Sequence, residues 1–487
     1  MTNGNGLGWR LARHLWHLTL SPTRMGVGRV MIWGMARDLT SDTVELLQTL
    51  IRNECVNDGR PDSGNETRNA DVLQTYVEGP GVEIERFGPT PERQSFVARI
   101  PGSDPNAPSL CMMGHTDVVP VNHSGWREDP FGGEIIASPD GYDEVWGRGA
   151  VDMLNLTSSM AVVFKSLADR SFRPKGDLLY FAVADEEAGS KYGAQWVADH
   201  HADAIRCDYL LTESGGLHSG PEGKRSIGVT VGEKGVAWRR LRVSGTPGHG
   251  SMPFGADNAL ISAAKVVSRL NEYRPTPRFH EHWRGQVQAL DIPDEAKAAM
   301  LDEQLIDGLL AELPVTSGKG FFHACTHTTF SPNVVSTVGR PKTNVIPDVV
   351  DVEVDIRTLP GEHTDEVTAH LRAALGDELM DKVQVEILMD DPSSISRTDT
   401  PLWDALQRAV EVPFPGARLN PQFSVGFTDA RVFRELGAVS YGAGLFSPVV
   451  DPGEFSLRFH GHNERVDVES LRLTTELWER VVTDLMA

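Results

Sequence analysis

Imidazole and carboxylate side chains recur in this sequence at one kind of place, just after a short apolar run. His115 and Asp117 follow LCMMG, Asp185, Glu186 and Glu187 follow LLYFAVA, and Glu213 follows DYLLT. Asp152 opens a helix shortly after GRGA. The three runs, 110–113, 178–184 and 209–211, read as buried strands of a parallel sheet. Ligand-binding groups of doubly wound sheets gather at the carboxyl ends of the strands, so these side chains are expected to converge. Several carboxylates in one place repel each other unless a cation neutralises them. Imidazole with carboxylates and no cysteine suits zinc or, less selectively, cobalt or manganese. The chemistry implied is metal-assisted hydrolysis.

Taken singly, each residue has a plainer reading. His115 could be a loop histidine, Glu186-Glu187 a solvated helix start, Asp152 a helix cap and Asp117 a turn residue. Their order argues otherwise. HTDVVP, GRGAVDM, ADEEAGS, LLTESGG, GHGSMP and FHGHNE occur in the sequence in the order seen in the co-catalytic zinc peptidases. That family includes aminoacylase-1, glutamate carboxypeptidase, acetylornithine deacetylase and succinyl-diaminopimelate desuccinylase, and the chain resembles it over residues 41 to 487.

The resemblance implies two zinc ions per chain, which cobalt or manganese can replace. His115 and Glu213 would complete one site, Glu187 and His460 the other, with Asp152 bridging. In HGHNE the family's ligand lies four residues before the Glu, here Glu464, which selects His460 over His462. Asp117 would orient His115, and Glu186 would be the general base toward the attacking water. His249 would reach a partner's site across a homodimer. Asn344, Arg357, Gly442 and Gly444 would contact the substrate. For Arg357 the plainer reading is a salt bridge with Asp355 or Glu353; for Gly442 to Gly444 it is a turn after a strand. One departure stands out: relatives follow the bridging Asp with Met-Lys-Gly, whereas Met153, Leu154 and Asn155 stand here. A Glu at 213, in the same family, goes with acylases, deacylases and carboxypeptidases. The expected reaction is therefore hydrolysis of an acyl-amino acid or short peptide next to a free carboxylate. The rivals are a dipeptidase or aminopeptidase, and a non-catalytic scaffold.

The elements that must position these groups are legible in the periodicity. Val44, Leu47, Leu50 and Ile51 repeat at helical spacing, as do Met153, Met160, Val163, Phe164 and Leu167, and Leu473, Leu477, Val481 and Leu485. A further helix is expected at 192–200. Alternation of strands and helices gives an α/β doubly wound, mainly parallel sheet. After Gly232 the pattern changes. Strands at 236–243, 334–338, 350–357 and 383–387 and helices at 260–270 and 364–375 spell β-α-β-β-α-β, a ferredoxin-like α+β unit. This divides the chain into a catalytic domain, 41–231 with 391–487, and a lid or dimerisation domain, 232–390, interrupted by an insertion at 275–330.

Length and composition set the outer limits. At 487 residues two domains are expected, and 40% hydrophobic with 23% charged residues is globular composition. A net charge of -22 excludes a general nucleic-acid binder. Cys55, Cys111, Cys207 and Cys325 are scattered, as in a reduced, cytoplasmic protein. Residues 1–34 carry four arginines, no acidic residue and no long apolar run, so no membrane span is expected. Residues 1–40 read as a disordered N-terminal extension, with residues 1–34 upstream of a start at Met35.

Overall fold

The computed structural model describes residues 38–289, 292–313 and 319–487. The expected disorder of the N-terminal extension and the start at Met35 lie outside the described residues.

The largest sheet runs, in spatial order, Glu83–Phe87, Ser95–Ile100, Leu178–Val183, Leu110–His115, Tyr209–Thr212, Val439–Gly442, Ser226–Glu233 and Ser394–Ile395. Its four middle strands, Leu178–Val183 to Val439–Gly442, are parallel. Its flanking pairs in that order are antiparallel, and Arg418–Ser424 adds a further parallel pairing to Ser226–Glu233. The parallel centre thus matches the expectation, while the edges make the sheet mixed. Every residue of Leu110–His115 and Leu178–Val183 is buried, which is why these strands read as unbroken apolar runs. Alternate side chains point to opposite faces. Leu110, Met112, Leu178 and Tyr180 meet the helices Leu39–Arg52, Leu154–Asp169 and Val468–Met486. Cys111, Met113, Leu179 and Phe181 meet Ala194–Ile205 and Ala430–Glu435.

A second, wholly antiparallel sheet has the order Thr329–Thr337, Val349–Thr358, Arg239–Ser244, Val383–Ile387. Numbered along the chain, that is 2-3-1-4. The helices Ala259–Glu272 and Thr364–Leu375 cover it through a core of Leu241, Val266, Val352, Val354 and Leu371. Between the first helix and the second strand, the Pro-rich and charged stretch at 275–330 is not irregular. Its described part forms the helices Glu281–Ala289, Asp294–Met300, Ile306–Glu312 and Lys319–Thr326 around Trp283, Val287, Ile306 and Leu310. These helices are short, so their periodicity is hard to read. All four cysteines are buried and free. Among the described residues no helix is long and apolar enough to cross a membrane.

Candidate active site

The carboxyl ends of the parallel strands bring two groups of metal-ligating atoms together. His115, Asp152 and Glu213 form one group and Asp152, Glu187 and His460 the other, with ligand atoms within 4.8 Å of one another in each. His115 Nε2 lies 3.3 Å from Asp152 Oδ1 and 4.0 Å from Glu213 Oε2. His460 Nε2 lies 3.1 Å from Asp152 Oδ2 and 3.2 Å from Glu187 Oε2. Asp152 therefore offers one oxygen to each group. Zinc bonds of about 2.0–2.2 Å at tetrahedral angles place ligand atoms about 3.4 Å apart, close to these spacings. Glu187 Oε1 is buried without a hydrogen-bond partner, a lone pair that a cation would satisfy. The donor set fits zinc.

The electrostatics point the same way. Burial, reinforced by Asp152, holds the Glu213 carboxyl well above its ordinary range. Burial and the neighbouring Glu213 do the same to Glu186. Hydrogen bonds to Asp152 and Glu187 push the His460 imidazole up to about 10. The carboxylates thus draw protons onto the rings, and a metal would displace those protons.

Local structure explains how each group arrives. Asp152 is not a cap: it precedes Met153, the N-cap of the helix Leu154–Asp169. It is steered by Glu464, whose Oε1 accepts the amides of Val151 (2.7 Å) and Asp152 (3.1 Å). Glu464 Oε2 accepts Arg148 Nη1 at 2.6 Å, and Arg148 also donates to the His460 carbonyl at 3.3 Å. Burial pushes the Glu464 carboxyl up to about 7 despite Arg148. Sequence reasoning used Glu464 only as a landmark for His460, and Arg148 carried no signal beyond its place in GRGAVDM. His462 is turned away and sits over Gly125, where an added Cβ would lie 2.3 Å from the ring.

Asp117 meets His115 through its main chain. The Nδ1–H of His115 is donated to the main-chain carbonyl of Asp117 (2.9 Å), while the Asp117 carboxylate stays 3.6 Å from that nitrogen. Nε2 is thereby left free to face Asp152. The carboxylate instead accepts the amides of Glu186 (3.3 Å) and Glu187 (3.2 Å) and the side chain of Asn57 (2.8 Å). Asp185, at φ +67°, turns the chain so that the next two glutamates diverge. It takes no part in either ligand group and pairs with buried Arg93 and Asn57. Arg93 in turn holds Glu66 at 2.7 Å. Arg93, Glu66 and Asn57 were missed, being isolated polar residues until the fold buries them together.

None of the remaining expected residues belongs to either ligand group. His249 is exposed on the two-residue strand Gly248–His249, which pairs with Val345–Ile346, and exposed Asn344 immediately precedes that second strand. His249 Nδ1 takes a 2.7 Å contact from Ser251 Oγ. Arg357 forms the plainer pair, with Nε 2.7 Å and Nη2 3.2 Å from Asp355. Its Nη1 is buried and unpartnered. Its guanidinium stacks over Phe427, whose ring also lies beneath Arg431. Gly442 permits a close approach of two chains, since a Cβ there would lie 2.0 Å from the Glu213 carbonyl. Gly444 packs beside Gly215. Both glycines therefore have a packing role at the Glu213 loop.

A cavity of about 520 Å³ is lined by Ser214 and Gly215, which follow Glu213 in the chain, and by Phe459, which precedes His460. Trp283, Val287 and Phe322 of the helical insertion form another part of its wall.

A paired imidazole–carboxylate centre at the end of a parallel sheet defines the class: metal-dependent hydrolases. Residues 111–484 match the model of peptidase family M20/M25/M40, and the chain belongs to that family. It is a hydrolytic enzyme acting on amide bonds, in a family that is metal-dependent. It is 28% identical over 404 residues to the N-fatty-acyl-amino acid synthase/hydrolase of Xenopus tropicalis, covering 80% of this chain and 74% of that one. It is 28% identical over 457 residues to succinyl-diaminopimelate desuccinylase of Rhodospirillum centenum, covering 91% and 97%. Among solved structures, an M20 family metallo-carboxypeptidase from Sulfolobus solfataricus shares the fold with a TM-score of 0.68 at 17% identity, covering 92% and 99%.

Proposed function

We propose that this enzyme hydrolyses N-acyl amino acids with a pair of zinc ions, one held by His115, Asp152 and Glu213 and the other by Asp152, Glu187 and His460. When bound, such a pair polarises the scissile carbonyl and acidifies the attacking water, and cobalt or manganese can serve in its place. Glu186, buried beside the ligands and belonging to neither group, takes the proton from the water and returns it to the leaving nitrogen. Arg357, with its unpartnered Nη1, receives the substrate's free carboxylate.

The observation that carries the acyl reading is the 520 Å³ cavity beside Glu213, with Leu217, Trp283, Val287, Phe322, Phe446 and Phe459 in its wall. Its size is that of a small-molecule site, and its lining favours an apolar acyl group over a free ammonium, which would lose its hydration there. The naming of the Xenopus relative as an N-fatty-acyl-amino acid enzyme supports the same choice. The 2-3-1-4 sheet supports a division into a catalytic domain, 41–231 with 391–487, and a lid, 232–390. Exposed Met252 and Phe254 beside His249 support a homodimer in which His249 serves the partner's site. The four free buried thiols support a cytoplasmic setting. The net charge of -22 supports a small-molecule substrate rather than nucleic acid or a membrane.

The test is a comparison of acyl-amino acids of rising chain length with free-amine dipeptides, in zinc or cobalt. Each added methylene buried in the cavity is worth about 0.8 kcal/mol, or about fourfold in kcat/KM, until the cavity fills. Preference for free-amine dipeptides, or indifference to acyl length, overturns the reading.

A further inference from the structure

The cavity lined by Ser214 and Phe459 has polar side chains in its wall that an all-apolar acyl group would leave unused. Trp283, Gln286 and Val287 share one face of the helix Glu281–Ala289, at positions i, i+3 and i+4, and all three line the cavity. Trp283 and Val287 are buried, as the inward face of such a helix requires. Gln286 is the exception on that face. Its Oε1 is buried without a hydrogen-bond partner, and its side chain makes no hydrogen bond among the described residues. Turning the amide over would exchange the buried oxygen for a buried nitrogen and leave it equally unpartnered. Buried polar atoms are as a rule hydrogen-bonded, so this one calls for a partner from outside the chain.

The neighbouring wall carries two more carboxamides. Asn420 and Gln422 lie two apart on the strand Arg418–Ser424, so they share a face, and both line the cavity. Neither side chain makes a hydrogen bond among the described residues. Gly228, the partner of Asn420 in the sheet, leaves room for the Gln422 amide: a Cβ there would lie 2.4 Å from Oε1. The two walls are fixed against each other. His280, just ahead of the helix, sets its ring 4.5 Å from that of Phe423, and Val425 packs against the cluster of Trp283 and Val287. The path from the ligand groups is short. The carbonyl of Ser214, the residue after Glu213, accepts the Thr230 hydroxyl, and Thr230 pairs with Gln422. One strand spacing separates that pair, so Gln422 stands within about 10 Å of Ser214. Among the described residues, no charged side chain and no histidine lines the cavity.

We propose that Gln286, Asn420 and Gln422 read the acyl group, and that the substrate carries there a second, uncharged amide. The inference deepens the acyl-hydrolase reading and rests on it. An amide holds donor N–H and acceptor oxygen in one plane, so it answers either end of a facing carboxamide. An alkyl tail would cover Gln286 without giving it a partner. A carboxylate tail would lose its hydration in a cavity that has no cation to meet it. The substrate class so defined is an amino acid whose acyl group ends in a carboxamide or continues through a peptide bond. Aliphatic parts of the same group lie against Trp283, Val287 and Phe446.

The experiment compares three series of N-acyl derivatives of one amino acid, the best substrate of the chain-length comparison, on the full-length enzyme supplied with zinc. The acyl groups run from four to eight carbons and end in a carboxamide, in the isosteric isopropyl group or in a free carboxylate. At the best length the carboxamide is expected to exceed the isopropyl tail about tenfold in kcat/KM, the worth of one hydrogen bond, and the carboxylate by more. Gln286→Leu should bring the carboxamide-to-isopropyl ratio to about one or below, whereas Gln286→Asn should keep part of it. Each ratio is taken within one preparation, so any loss of folded enzyme cancels. A ratio near one in wild type, a ratio that survives Gln286→Leu, or a preference for the carboxylate overturns the assignment and leaves the acyl-hydrolase reading standing. Preference for free-amine dipeptides over every acyl series overturns both.

Discussion

Replacing Asp117 by Asn separates two ways in which this residue could serve the metal centre. If its carboxylate oriented His115, the change would loosen the metal group of His115 and Glu213. In the structure the His115 ring is held by the main-chain carbonyl at 2.9 Å, which the substitution leaves in place. The carboxylate accepts the amides of Glu186 and Glu187, at 3.3 and 3.2 Å, on two different oxygens. An Asn has one acceptor oxygen, so one of these amide hydrogens is left facing an NH₂ group. A buried donor without a partner costs about 1–3 kcal/mol. At 1.4 kcal/mol per factor of ten, that is about fivefold to 150-fold, expressed in the placement of Glu186 and Glu187. Asp117→Asn should therefore lower kcat at saturating zinc by about tenfold to a hundredfold. It should weaken the zinc held with Glu187 and His460 while sparing the other. Steady-state kinetics with an acyl-amino acid, alongside chelator competition in the Glu213→Gln and Glu187→Gln backgrounds, reads both effects. A kcat within twofold of wild type, or a loss confined to the His115 group, would refute the reasoning.

Glu186→Gln should cut turnover by at least about a hundredfold with metal content intact, whereas Glu187→Gln should release the metal shared with His460; metal analysis beside kinetics distinguishes them. Arg357→Ala should lower kcat/KM about thirtyfold or more for a substrate with a free carboxylate and far less for its amide, because a desolvated charge pair is worth about 2–5 kcal/mol and an exposed one at most about 1. Equal losses on both substrates would leave Arg357 as the partner of Asp355 alone. Zinc binding at the His460 group must displace the proton that Asp152 and Glu187 hold there up to about pH 10. Its apparent affinity should rise about tenfold per pH unit between pH 7 and 9, and an affinity flat in that window would contradict the proton count.

Much of the site was legible because strand ends are local features. The apolar runs ending at Met113, Ala184 and Leu211 announced buried strands, and the polar residues after them had to meet at one edge of the sheet. Regular periodicity exposed the long helices for the same reason. The insertion at 275–330 stayed opaque, since helices of seven to nine residues complete too few turns to print a clear pattern. The antiparallel flanks were equally hidden, because edge strands such as Glu83–Phe87 are only half buried.

By itself, the sequence determined which residue types stand at the strand ends, in what order, and hence the chemistry available. Only the tertiary structure decided how they are shared. That Asp152 gives one oxygen to each group depends on Glu464, more than three hundred residues away, gripping the amide of Asp152. That His460 rather than His462 enters the cluster depends on a turn at φ +55° and on packing over Gly125. That Asp117 serves His115 through its backbone, and the two glutamates through its side chain, depends on the approach of two neighbouring strand ends, Leu110–His115 and Leu178–Val183. Hydrogen bonds are directional and act over about 3 Å, so they are settled by chain segments that local periodicity never compares.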